Sequence, residues 1–134
     1  MFKRLALLMV LVFSVQLAWA EGDTEKTVED YVNYIELKSF TTNLDGVGKP
    51  RFLKCEVTIQ VSSESAHHAV NAHMPQIRND LVFLLSSQND ETVGTIEAQN
   101  ILAKKALKVV QDVLIAEESE SFVSDLFFTS FVVQ

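Results

Sequence analysis

The sequence predicts one α+β domain: a small, largely antiparallel sheet with helices packed on it, preceded by an N-terminal signal or anchor segment. Three observations carry this. Leu53, Cys55, Val57, Ile59 and Val61 alternate without a break against Lys54, Glu56, Thr58 and Gln60, the period of a strand with one buried and one wet face. From Leu102, apolar residues recur at Ala106, Val109, Val110, Val113 and Leu114, the period of a helix with one face on a core. The elements then run strand, strand, helix, helix, helix, strand, which keeps the helices together and apart from the sheet. At 134 residues the chain fits one domain with a real core.

The first twenty residues stand apart. Lys3 and Arg4 form a basic n-region, Leu5 to Val15 an apolar h-region, and Ala18-Trp19-Ala20 an A-x-A-like cleavage site, so a secretory signal would be cut between Ala20 and Glu21. A spanning helix wants about 20 apolar residues, and Gln16 interrupts this run. Residues 1–20 therefore read as a cleaved signal or as a short, uncleaved membrane anchor. No cysteine ends the h-region, which excludes a lipoprotein, and residues 21–30 are a short acidic linker before a domain at 31–134.

Within the domain, Tyr31 to Leu44 is strand-like, with Ile35 and Leu37 alternating against Glu36 and Lys38. Leu44 to Pro50 supplies turn residues, two glycines and a proline, so a hairpin joins this strand to the one at Leu53 to Val61. After cap-capable Ser62-Ser63, Glu64 to Ala72 is weakly amphipathic, and Pro75 breaks or restarts the helix. Ile77, Leu81, Leu84 and Leu85 then mark a second helix ending near Ser87. Gln88 to Glu91 reads as a polar connection, Thr95 as a cap for the third and longest helix, and Glu117 to Glu120 as its end. Ser121 to Gln134 has large apolar groups at both parities, Phe122, Leu126, Phe128 and Val132 against Val123, Phe127, Phe131 and Val133. That pattern predicts a last strand covered on both faces.

Little in the composition points to chemistry. The formal charge is −7, and −9 without Lys3 and Arg4, which argues against nucleic acid. A single cysteine, Cys55, can form no internal disulfide and falls in the buried set of its strand, a small core hydrophobe. His67, His68 and His73 lack the three- or four-residue spacing that would put two ligands on one helix face, and read as solvated. The glycines form no phosphate-cradling loop, no serine sits in a nucleophile elbow, and the run Glu117, Glu118, Glu120 reads as a solvated face. No catalytic, metal or cofactor residue is named. Lys104, Lys105 and Lys108 form a basic group on an acidic domain, a candidate partner-facing patch for another copy or a lipid headgroup. The plainer reading is a solvated helix face with Lys108 paired to Asp112.

Three patches carry a family likeness: Tyr34-Ile35-Glu36-Leu37 through Phe40-Thr41-Thr42-Asn43-Leu44; Pro75-Gln76-Ile77-Arg78-Asn79-Asp80 followed by Leu84-Leu85-Ser86-Ser87; and Leu126-Phe127-Phe128-Thr129-Ser130-Phe131-Val132-Val133-Gln134. With these residues the chain resembles the flagellar basal-body-associated FliL family, from about Tyr34 to the end. The resemblance implies a periplasmic α+β domain of stomatin/prohibitin-like type. It further implies self-association into a ring, contact with the flagellar stator and basal body at the inner membrane, and a non-enzymatic role in motility, without cofactors. The chain departs from the usual family pattern of a basic cytoplasmic segment and a true transmembrane helix, since only four residues precede its apolar run. A binding module for a small periplasmic ligand, held in a groove between helices and sheet, is the alternative.

Overall fold

The computed structural model describes residues 32–134. The signal or anchor at 1–20, the cleavage point between Ala20 and Glu21, the whole linker at 21–30 and Tyr31 fall outside that range. Strands β1 (Asn33–Asn43) and β2 (Phe52–Val61) form the expected hairpin, and β3 (Val123–Val133) pairs with the other side of β2. Both pairings are antiparallel, so β2 is central and β1 and β3 are edges.

Between β2 and β3 the chain makes helices α1 (Glu64–Ala72), α2 (Met74–Ser86), α3 (Asp90–Val93) and α4 (Ile96–Glu118). Ser63 caps α1 by accepting from Ala66 N at 3.0 Å, and Thr95 caps α4 by accepting from Ala98 N at 3.0 Å. Pro75 stands in the first turn of α2, where its missing N–H costs nothing. The short α3 falls inside the segment predicted as a bare connection. Asn89 caps it and Thr92 returns a hydroxyl to the Asn89 backbone, a capping box in which Thr replaces the more familiar Glu or Gln. Helix α2 packs on β1 and on α4, and α4 packs on β3, so the helices form one layer on one face of the sheet.

The sheet stacks in cross-strand rows, and the rows explain the core. Facing the helices are Ile35–Ile59–Leu126, Leu37–Val57–Phe128, Phe40–Cys55–Phe131 and Thr42–Leu53–Val133. The β1 and β2 members of these rows are buried, together with Ile77, Leu81 and Leu85 of α2 and Leu102, Ala106, Val110 and Leu114 of α4.

The last strand differs from its prediction. It is an edge strand with helices on one face only, and of its large residues only Val123 and Leu126 are buried. Its mixed parity comes from two register shifts: Ser124 is extra between Val123 and Asp125, and Thr129 is extra between Phe128 and Ser130. Each extra residue turns the alternation over, so Val123, Leu126, Phe128, Phe131 and Val133 all reach the helix side. A third shift lies in β1, where Lys38 and Ser39 together oppose Glu56. The β1 and β3 irregularities thus flank the central strand at one level.

Candidate functional site

The three motif patches meet in one place. Phe40 of the first stands beside Cys55, which stands beside Phe131 of the third. Phe131 meets Phe128 edge-on, with ring centroids 5.1 Å apart. From the second patch, the Arg78 guanidinium lies 4.2 Å above the Phe40 ring. Its Nη1 donates to Lys38 O at 2.7 Å and its Nη2 to Ser39 O at 3.3 Å, the carbonyls that the β1 bulge turns away from the ladder. Ile77, one residue earlier, is fully buried. Just past the end of the same helix, Gln88 Nε2 donates to Leu84 O at 2.7 Å while the Gln88 backbone O accepts from Asp45 N at 2.9 Å, which ties the end of α2 to the hairpin turn.

This cluster holds the fold together and offers no reacting group. Burial pushes the Cys55 thiol up from 9.0 to about 12, so it stays a protonated core residue. His68 is exposed and 3.7 Å from Glu64. His67 Nδ1 lies 3.5 Å from Asn33 Nδ2. His73 departs from the solvated reading: its Nε2 contacts Glu118 Oε1 at 2.7 Å, joining the α1–α2 junction to the end of α4 across 45 residues of sequence. That contact gives Glu118 a partner in a run otherwise facing solvent. Among the described residues no three His, Cys, Asp or Glu side chains gather as a metal site.

The candidate lysines take three different settings. Lys108 Nζ meets Asp112 Oδ2 at 2.8 Å, the i, i+4 pair. Lys105 borders a hollow of about 80 Å³ with Gln88, Thr92 and Ile101. Lys104 lines a groove of about 390 Å³ between α4 and β3, with Gln99, Asn100, Ala103 and the strand residues Asp125 to Phe128. A wider, open crevice of about 530 Å³ lies where α4 returns to β3, bordered by Ser62, Ser63, Ser65, Glu120, Ser121 and Phe122. The turn there is tight, with Ser119 at φ 64° and Phe122 at φ 56°. The centre of the helix–sheet interface is filled by core side chains, and the helix–sheet groove between α4 and β3 opens at the edge of the sheet.

The surfaces left are the outer sheet face, the two strand edges and the outer helix faces, where Phe83, Ile96, Ile101 and Ile115 are exposed. Each edge begins with a side chain that occupies an outward N–H: Asn33 Oδ1 accepts from Tyr34 N at 2.7 Å, and Asp125 Oδ1 accepts from Leu126 N at 2.8 Å. No helix among the described residues is long and apolar enough to cross a membrane.

A family model described as flagellar basal body-associated protein FliL matches residues 34–134. The flagellar protein FliL of Escherichia coli K12 is 25% identical over 121 residues, covering 90% of this chain and 77% of that protein. That of Shigella flexneri matches over the same extent at the same identity. The flagellar protein FliL of Aquifex aeolicus is 26% identical over 95 residues, covering 71% of this chain and 56% of that protein.

Proposed function

The chain belongs to the FliL family of flagellar basal body-associated proteins, and on that premise we propose a motor accessory that is exported to the periplasm, self-associates into a ring and contacts the flagellar stator. It works at the periplasmic face of the inner membrane, in support of motility, swarming and chemotactic rotation. The family match over residues 34–134 carries this reading. The family is one of flagellar accessory proteins and not a known enzyme family. The physical character of the domain supports the same role: its interior is filled, its one thiol is buried and protonated, and what remains to act with are strand edges and helix faces.

Two experiments test it together. A fluorescent fusion to the full chain should form foci at flagellar bases, and deletion should slow swimming most when medium viscosity raises the load. An even distribution round the envelope of flagellated cells, with swimming unaffected under load, would overturn the proposal.

A further inference from the structure

The two edges of the sheet are treated differently. The β1 edge carries Glu36 and Lys38, is broken by the Lys38–Ser39 bulge, and has both bulge carbonyls held by Arg78. Charge, bulge and capped carbonyls are the devices that keep an edge from pairing with another chain. On β3 the bulges are present and Asp125 occupies the Leu126 N–H, but beyond that point nothing else protects the edge: from Leu126 to Gln134 there is no charged side chain, no proline and no glycine. Phe127 and Val132 are 42% and 43% exposed on its outer face. A bare apolar edge on a strongly acidic chain calls for a cover.

The ladder shows which groups are free. Phe52 and Gln134 exchange both backbone bonds, at 2.8 and 2.9 Å. Alternation from that pair turns the N–H and C=O of Val133, Phe131, Phe128 and Leu126 away from β2. Asp125 accepting from Leu126 N confirms the direction at that residue. The residues whose backbone groups face the edge are therefore the same ones whose side chains face the helices.

We propose that β3 pairs antiparallel with β3 of a second copy, Phe128 opposite the second copy's Phe131 and Phe131 opposite its Phe128, joining two three-stranded sheets into one. This deepens, and rests on, the self-association in the proposed function. The pattern of the strand is its own complement about the Thr129–Ser130 bulge. In this register Leu126 meets Val133 and Phe128 meets Phe131 on the helix side, while Phe127 meets Val132 on the outer side. From Phe128 to Val133 every edge-facing backbone group meets another, the Leu126 N–H exchanges Asp125 Oδ1 for Val133 O of the second copy, and every inward side chain meets an inward one. The bulge bears on the register, because a slip by two residues would set inward Phe128 against Thr129, or inward Phe131 against Ser130, at the bulge itself. The groove between α4 and β3, with small Ala103 in its wall, is the space into which Val133 and Phe131 of the second copy fit. The β1 edge is the poorer match, since its charged, Arg78-capped backbone would lie against an uncharged strip. From Leu126 to Val133 no like-charged side chains face each other across the pair, which matters for two copies of an acidic chain. The contact is isologous and closes at two copies, so a larger ring needs a second surface.

Disulfide trapping tests the register in the full chain. Positions 127 and 132 are a non-hydrogen-bonded pair across the proposed contact, within disulfide reach. Within one strand they lie about 16 Å apart, too far to bridge. Phe127→Cys with Val132→Cys should give a covalent dimer as the main species on mild oxidation, while each single substitution gives only a trace. Equal yields from the double and single variants would overturn the pairing. A second measurement is independent of oxidation: Val132→Lys should raise the dimer dissociation constant about tenfold or more, with far-UV circular dichroism unchanged. A Val132→Lys chain that associates as tightly as its parent would overturn the β3 contact and leave self-association through another surface. A parent chain monomeric at every concentration would overturn both.

Discussion

Arg78 gives the sharpest test of how the sheet and helix layers are joined. Replacing it by Met keeps the aliphatic stem and removes the fork. Lost are a short, charge-assisted bond to Lys38 O at 2.7 Å, a longer one to Ser39 O at 3.3 Å, and the cation over the Phe40 ring at 4.2 Å. At a partly exposed site the first is worth about 1 kcal/mol, the second about 0.5, and the ring contact about 0.5, the low ends of their ranges. Together they make about 2 kcal/mol, roughly a 30-fold rise in the unfolding constant. Arg78→Lys should recover about half, because an ammonium keeps the charge but cannot serve two carbonyls at once. Urea unfolding with an unchanged slope measures both. Lys105→Met, which removes the same charge from an exposed position, should stay within about 0.5 kcal/mol of the parent. If Arg78→Met were as mild as Lys105→Met, the clamp would contribute nothing, and the link between motif patches would be geometry without energy.

Other expectations follow from single residues. Thr42 is 7% exposed and its Oγ1 has no partner among the described residues, so Thr42→Val should raise stability by about 1 kcal/mol; a lower melting temperature would refute this. Ser119 ends α4 in the left-handed region at φ 64°, and Ser119→Gly should stabilise by about 0.5–1 kcal/mol in the same assay. Folded Cys55 should resist iodoacetamide at pH 8, with alkylation tracking global unfolding. Because its thiol holds a proton to about pH 12 when folded and to 9.0 when unfolded, its contribution is complete below pH 9 and is lost as pH rises towards 12. Cys55→Ala should therefore flatten the alkaline decline in urea midpoint, whatever its cost at neutral pH.

Much of this fold is legible in the sequence because its strongest signals are local. The unbroken alternation of β2, the helical spacing of Leu102 to Leu114, the caps Ser63 and Thr95, and Pro75 at the start of α2 each depend on residues a few positions apart. What escapes is what local pattern cannot hold. The bulges at Lys38–Ser39, Ser124 and Thr129 carry no glycine to mark them, so the doubled apolar parity of β3 imitates a strand buried on both faces. Helix α3 is missed because its capping box closes on Thr92. The partners of Arg78 are 39 and 40 residues away and that of His73 is 45 away, beyond any spacing rule. Lys104 and Lys105 are adjacent in sequence, yet they border different hollows, the first towards β3 and the second towards α3.

The motif patches and the working surface are therefore different parts of the molecule. Phe40, Ile77, Arg78 and Phe131, which carry much of the resemblance, are spent on joining layers. They identify the fold, and a fold by itself assigns no partner. The β3 motif belongs to both sets. Its inward residues complete the rows set by β2, and its outward backbone and Phe127 and Val132 remain on the surface. A strand needed only to close the core would be better protected by a lysine or glutamate at those two exposed positions, at little cost to the rows beneath. That β3 has no such residue there, while β1 has charge and the Arg78 clamp at its bulge, is a difference that packing alone does not require.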